Sequence, residues 1–120
     1  MNAFTKLIIL AVLGLLTSCV QPSYNRTVVF ELDAKAVKDI KTVGIRGNDK
    51  PLNWENDYPM QFDPKDSLYK ATVTGKTGYL FTEFKFVVNG DFELKNLENR
   101  KVYFKNQDTI VYKATFDKLP

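Results

Sequence analysis

The sequence predicts an all-β fold, an immunoglobulin-like antiparallel β-sandwich of about seven strands. The most regular stretch is Leu80 to Val88, where every second residue is apolar or β-branched and Glu83 and Lys85 lie between them. Side chains alternate across a strand, so one set faces a core and the other faces solvent. Asn89-Gly90 follows as a turn signal, because both residues tolerate positive φ. No convincing helical pattern interrupts the short, regularly spaced strands.

The other strands are predicted from β-branched and aromatic runs bounded by turn residues. They cover residues 27–33, 41–47, 60–62, 68–74, 102–104 and 109–116. Residues 34–40 form either one helical turn or a loose connection, and turns are expected at 63–67 and 75–78. The candidate core residues are Phe30, Leu32, Val43, Ile45, Leu68, Val73, Phe84, Phe86, Val88 and Val111.

Length and composition indicate one globular domain: the chain has 120 residues, of which 44% are hydrophobic and 13% aromatic. The net charge is only +3 and acidic residues are interleaved with basic ones. This argues against a nucleic-acid partner. The chain has no histidine, the commonest general base and transition-metal ligand. We therefore expect no cofactor and no metal site.

The first residues are typical of a bacterial lipoprotein. One positive charge precedes an apolar run at 7–16, which is too short to span a bilayer and suits a signal peptide. The segment ends Leu16-Thr17-Ser18-Cys19, which resembles a lipobox, the signal after which the cysteine is acylated. We expect a signal peptide at 1–18, a lipidated tether at 19–26 and a β-sandwich domain at 27–120. The alternative is an ordinary secretory signal with a chance cysteine.

The expected location is the bacterial outer membrane, to which acyl chains on Cys19 would anchor the protein. Neither an early aspartate nor an acidic run follows Cys19. The sequence therefore does not indicate which face of that membrane the domain occupies.

Two short motifs are explained by turns. Gly75-Lys76-Thr77 matches the tail of a phosphate-binding loop, but the required earlier glycine is replaced by Lys70 and no helix follows. Asp63 and Asp66 carry oxygen ligands of the kind that calcium prefers. An acidic turn that contains proline is common without a metal, and we favour that reading.

Paired carboxylates can hydrolyse glycosides, and Glu83, Asp91 and Glu93 are close in sequence. Hydrolysis also needs a cleft that shields one acid from water, which a sandwich of this size rarely supplies. Solvated strand faces account for these acids, so we do not expect an enzyme.

The only tryptophan, Trp54, lies in a loop-like stretch among Asn53, Glu55, Asn56 and Asp57. One interpretation is that its ring closes one end of the sandwich. The other is that the ring is a stacking platform for a sugar, whose C–H faces pack on aromatic rings while amides and ammonium groups bond its hydroxyls. Lys85 and Asn99 have suitable chemistry for that role, and the polar return after the central strand brings them close together.

The order of these features resembles the starch- and glycogen-binding modules of carbohydrate-binding families 20 and 48, over about residues 27–116. The resemblance is carried by Val28-Val29-Phe30-Glu31-Leu32, Val43-Gly44-Ile45-Arg46-Gly47, Leu52-Asn53-Trp54, Thr72-Val73, Glu83-Phe84-Lys85-Phe86-Val87-Val88 and Asn99-Arg100. In those modules a tryptophan, the lysine of a Glu-aromatic-Lys strand and the amide of an Asn-Arg pair serve one α-glucan site. These roles would fall on Trp54, Lys85 and Asn99.

The chain departs from that family in two places. Phe92-Glu93 stands nearest to the second stacking tryptophan of the family, and Pro51 precedes Leu52-Asn53-Trp54 without the usual glycine. Phenylalanine can also stack, with less area.

The resemblance implies a non-catalytic lipoprotein that binds an α-glucan such as starch or glycogen. The expected carbohydrate-binding residues are Trp54, Lys85, Phe92 and Asn99, with Glu83 and Asn53 as supporting hydrogen-bonders. The alternative is a structural or assembly lipoprotein, since the same sandwich also serves in accessory domains that bind no sugar. Its partner would be another envelope protein.

Overall fold

A computed structural model describes residues 22–105 and 109–120, and these two ranges form nine β-strands joined by turns and loops. Within those ranges there is no helix, and so none long and apolar enough to cross a membrane. The strands form two sheets, which confirms the predicted all-β sandwich. The predicted signal peptide, Cys19 and residues 106–108 lie outside the described residues.

The first sheet has four strands in the order β4-β5-β1-β9. Their bounds are Gln61–Asp63 for β4, Leu68–Thr77 for β5, Tyr24–Asp33 for β1 and Thr109–Thr115 for β9. The β1–β5 pair is antiparallel, but β1 and β9 are parallel. The sandwich is therefore mostly, and not wholly, antiparallel. No hairpin joins β1 to β9, which are far apart in sequence, so nothing local forces the antiparallel direction.

The second sheet contains β2 (Val43–Gly47), β3 (Tyr58–Pro59), β6 (Phe81–Val88), β7 (Asp91–Phe92) and β8 (Arg100–Tyr103). The central strand β6 pairs with β2 along one side. Its other side is shared, because β8 pairs with its first half and β7 with its last two residues. The segment between β7 and β8 therefore leaves the sheet and returns to it.

The core lies between the two sheets and is dominated by aromatic rings. Phe30 of β1 meets Phe84 and Phe86 of β6 edge-on, with centroid distances of 4.8 and 6.1 Å. Edge-to-face packing of this kind adds to the hydrophobic gain of burying the rings. The predicted core residues that are buried are Phe30, Leu32, Val43, Ile45, Val73, Phe84, Phe86 and Val88. Leu68 is half-buried.

The prediction for Val111 is wrong, because its side chain is 53% exposed. The residues of β9 that pack against the core are Ile110, Tyr112 and Ala114. Three consecutive apolar residues fit either phase of a strand, and the pairing with β1 selects the other one.

Of two predicted turns on either side of β6, one is wrong and the other is confirmed. The predicted turn at 75–78 is wrong, because β5 continues to Thr77 where it pairs with Tyr24, and the chain turns at 78–80. The turn at Asn89-Gly90 is confirmed, with φ of 52° and 80°. Residues 34–40 form turns and bends without a helix.

Candidate site on the outer face of the second sheet

An open depression on the outer face of the second sheet is lined by aromatic, cationic and amide side chains. Its volume is about 400 Å³. Its lining residues are Trp54, Lys85, Phe92, Lys95, Asn96 and Asn99. They come from the loop between β2 and β3, from β6, from β7, and from the loop between β7 and β8. We call this depression the candidate site, residues 48–57 the Trp54 loop, and residues 93–99 the Lys95 loop.

Strand alternation places the floor of the site. Phe84 and Phe86 of β6 point into the core, so Lys85 between them points outward. Arg46 of β2 pairs with Lys85, and Phe92 of β7 pairs with Val87. The outward residues of three adjacent strands are thereby brought to the same surface.

Hydrogen bonds fix the orientation of the Trp54 ring. Its indole Nε1–H donates to Asn48 Oδ1 at 2.6 Å, and Asn48 Nδ2 donates to Glu83 Oε2 at 3.2 Å. Glu83 is also 4.0 Å from the ammonium of Lys101. The half-buried Trp54 is not part of the core cluster, so it lies on the outer face of the sheet.

Arg46 ties the Trp54 loop to the strand beneath it. Its Nε donates to Asp57 Oδ1 at 2.6 Å, and an Nη donates to the carbonyl of Trp54 at 3.3 Å. The guanidinium carbon lies 5.1 Å from the centroid of Phe92, a distance suited to a cation–π contact. One side chain therefore contacts both the loop and the second aromatic ring.

The two rings of the site lie side by side at an angle. The centroids of Trp54 and Phe92 are 6.2 Å apart and the ring planes are inclined by 47°. Exposed, roughly coplanar rings beside Lys85 would favour a sugar site, and a buried Trp54 would favour assembly or plain stability. The two rings are half-buried and inclined, which matches neither arrangement.

The ammonium of Lys85 bonds two backbone carbonyls and keeps a third N–H for another acceptor. It donates to the carbonyl oxygens of Leu94 and Leu97 at 2.9 and 3.1 Å. An ammonium has three donors, so one remains for a ligand. Both carbonyls belong to the Lys95 loop, and Lys85 thereby holds that loop against the sheet.

A buried ion pair closes the base of the Lys95 loop. Glu93 and Arg100 are 1% and 4% exposed. Burial alone lowers the pKa of Arg100, but the hydrogen bond to Glu93, then that to Tyr112, and the charge of Glu93 raise it overall. The expectation that a solvated strand face accounts for Glu93 is wrong, because its carboxylate bonds Arg100 and the backbone N–H groups of Phe86 and Asp117.

Of the predicted site residues, Trp54, Lys85, Phe92 and Asn99 line the same depression. Glu83 does not line the depression, and two hydrogen bonds through Asn48 connect it to the Trp54 ring. Asn53 is not at the site surface. Its Oδ1 accepts from the backbone N–H groups of Glu55 and Asn56 and so stabilises the turn of the Trp54 loop.

Sequence reasoning missed four residues around the site: Arg46, Asn48, Lys95 and Asn96. Positive φ at Leu94 and Asn96, of 50° and 63°, turns the Lys95 loop toward the ring pair. Asparagine tolerates the left-handed region, so Asn96 was a weak sequence signal for such a turn. Arg46 could have been found as the outward residue opposite Lys85.

In the acidic turn between β4 and β5, both carboxylates form ion pairs with a lysine. The ammonium of Lys70 lies 3.0 Å from Asp63 and 2.5 Å from Asp66. Within the described ranges, no three metal-ligating side chains cluster. A hydrogen bond from the backbone N–H of Lys65, followed by that from Lys70, lowers the pKa of Asp63.

Comparison of the chain with protein-family models finds no match, and comparison with curated proteins finds no similar sequence.

Proposed function

We propose that the chain is an outer-membrane lipoprotein whose β-sandwich, of the immunoglobulin-like, starch-binding type, binds an α-glucan without catalysis. The observation that carries this proposal is the convergence of Trp54, Phe92, Lys85 and Asn99 in one open depression. They lie on three separate chain segments, and each has the chemistry that a sugar needs. Two rings offer apolar faces, while an ammonium and an amide bond hydroxyls.

The geometry of the ring pair does not add to this proposal. A sugar site is expected to present exposed, roughly coplanar rings, whereas Trp54 and Phe92 are half-buried and inclined by 47°. The proposal is therefore carried by the convergence of the four side chains.

The openness of the site favours binding over hydrolysis. Lys85 donates to backbone carbonyls, and Glu83 bonds Asn48 and faces Lys101. The buried Glu93 is held by Arg100 beneath the loop. None of these groups is arranged as a shielded acid opposite a second carboxylate across the ligand.

The test uses a shortened chain, Val20 to Pro120, which is titrated with maltoheptaose and with β-cyclodextrin. Tryptophan fluorescence monitors the binding. This chain keeps every described strand, and Trp54 is its only tryptophan. We expect a saturable change in emission. Calorimetry with Trp54→Ala should show no binding, whereas Phe62→Ala, which removes an exposed ring from the other sheet, should bind normally.

A flat response at millimolar sugar would contradict the α-glucan proposal. Cellohexaose serves as the β-linked comparison, and equal binding of both sugars would contradict a preference for α-glucan.

The second candidate function is assembly with another envelope protein. Strand β9 lies at an edge of the first sheet, and Val111 on it is exposed. An exposed edge strand can pair with a strand of another chain. A chain that binds no sugar but is crosslinked through Val111→Cys to one envelope protein would favour this function.

A further inference from the structure

An exposed apolar cluster lies at the end of the sandwich where β5 turns into β6. Tyr79 and Leu80 are 70% and 82% exposed at the turn itself. Phe81 and Tyr103 lie beside them, with ring centroids 5.5 Å apart. We call these four residues the Tyr79 cluster. An exposed group of large apolar side chains marks a surface that contacts something other than water.

The N-terminal segment reaches this same end of the sandwich. Tyr24, itself exposed, pairs with Thr77 at the last position of β5. The carbonyl oxygen of Pro22 is 3.0 Å from the point where a side chain on Gly78 would begin. The chain therefore enters the domain directly beside the Tyr79 cluster.

This entry point limits where a lipid anchor can be. Cys19 is three residues before Pro22. Three fully extended residues span at most about 11 Å. An acylated Cys19 would hold this end of the sandwich against the bilayer surface. The Tyr79 cluster would then lie close to the lipid.

The charges near the cluster have a small positive excess. Lys76 is exposed and directly precedes Thr77, and the exposed Lys105 follows Phe104, whose N–H donates to the carbonyl of Leu80. The ammonium of Lys101 lies 5.3 Å from the centroid of Phe81. The carboxylates of Asp49 and Glu83 stay charged although they accept hydrogen bonds from Thr82 and Asn48, so they offset two of these three lysines. The remaining positive charge suits an anionic surface.

We propose that this end of the sandwich rests on the membrane, with Tyr79 and Leu80 inserted at the level of the lipid headgroups. Tyrosine suits that depth, since its ring is apolar and its hydroxyl is polar. The inference rests on the lipidation of Cys19 in the proposed function. It does not depend on sugar binding.

This orientation has a consequence for the candidate site. Lys85 of β6 is five residues after Leu80, so the two residues are roughly 17 Å apart along the strand direction. The depression then faces sideways above the bilayer and stays open to a polysaccharide.

The test uses the full chain, processed and lipidated in bacteria, in vesicles of phosphatidylethanolamine and phosphatidylglycerol. A fluorophore is attached to Leu80→Cys or to the control Lys65→Cys. Lys65 is exposed in the turn at the opposite end of β5, so it lies far from the bilayer in this orientation. Spin-labelled lipids then quench a probe only if it reaches the membrane.

We expect quenching of the Leu80 probe by about twofold or more, as for a side chain at the headgroup boundary, and no quenching of the Lys65 probe. Equal quenching at both positions, or none at Leu80 in vesicle-bound protein, would overturn the orientation. Mass analysis of Cys19 and vesicle flotation test lipidation separately. A chain that is not acylated and does not float with the vesicles would overturn the inference, because the inference depends on lipidation of Cys19. Sugar binding is measured separately at Trp54.

Discussion

Glu93 and Arg100 form a bidentate ion pair at the two ends of the Lys95 loop, with N–O distances of 2.6 and 2.8 Å. Arg100 also donates to the carbonyls of Thr115 and Lys118, which ties the C-terminal segment to the same point. The loop that carries Lys95, Asn96 and Asn99 is therefore closed at its base by a buried pair. The remaining hydrogen bonds of this pair are made with backbone groups and with the hydroxyl of Tyr112. A paired charge in this setting positions the loop more than it stabilises the fold.

Removal of one partner of this pair should be costly. Arg100→Met leaves the Glu93 carboxylate buried without its counter-ion, and we expect the free energy of unfolding to fall by about 3–5 kcal/mol. Chemical denaturation measures this fall. Lys101→Met, which removes the neighbouring exposed cation, should change stability by less than about 1 kcal/mol.

The double variant Glu93→Leu with Arg100→Met tests the cause. An apolar pair of similar volume should regain most of the stability that the single variant loses. A double variant as unstable as Arg100→Met would contradict the role given to the unpaired charge.

The alternation of Phe84, Phe86 and Val88 made β6 predictable, because one pattern and one strand face agree over the whole strand. Local sequence could not predict the core role of Leu52, which lies in a loop and belongs to no periodic pattern. This residue is buried because of how the loop closes over the end of the sandwich, which is a tertiary effect.

The candidate site shows the same division. The resemblance named Trp54, Lys85, Phe92 and Asn99, and the structure places them around one depression. The burial of Glu93 could not be predicted from the sequence. In an alternating strand Glu93 would lie on the same face as the exposed Asp91, and its partner Arg100 is seven residues away. Sequence alone also does not reveal that Lys85 bonds the backbone of the Lys95 loop.

The hydrogen bond from Trp54 to Asn48 should tune both fluorescence and sugar binding. Asn48→Ala removes the acceptor of the indole N–H, and a hydrogen bond of this kind is worth about 1 kcal/mol, or roughly fivefold in affinity. We expect a red-shifted emission of Trp54 and a weaker maltoheptaose affinity by that factor. Asn56→Ala removes an exposed amide from the same loop and should leave both unchanged. An unshifted emission in Asn48→Ala would contradict the orientation given to the ring.

Gly44 allows the Trp54 loop to lie close to β2. A side chain there would begin 2.7 Å from Cβ of Asp57 and 3.1 Å from the carbonyl oxygen of Tyr58. We expect Gly44→Ala to displace the loop and to lower the free energy of unfolding by about 1–3 kcal/mol. Thermal unfolding measures the change, with Thr42→Ala, at an exposed position before β2, as control. Wild-type stability together with unchanged Trp54 emission would show that the loop does not need this close approach.

The acidic turn between β4 and β5 predicts a titration that two partners control. The pKa of Asp63 is lowered first by the backbone N–H of Lys65 and then by Lys70, so the stability it contributes is present above its unfolded pKa and is lost as pH falls through the folded one. We expect Lys70→Met to raise the Asp63 pKa only part of the way to its ordinary value, because the bond from Lys65 at 3.0 Å remains. Carboxyl-carbon NMR follows the titration, and Lys113→Met, which removes an exposed lysine near Glu31, should leave it unchanged. A full return to the ordinary value would show that Lys70 alone lowers this pKa, and no change would show that the backbone bond does.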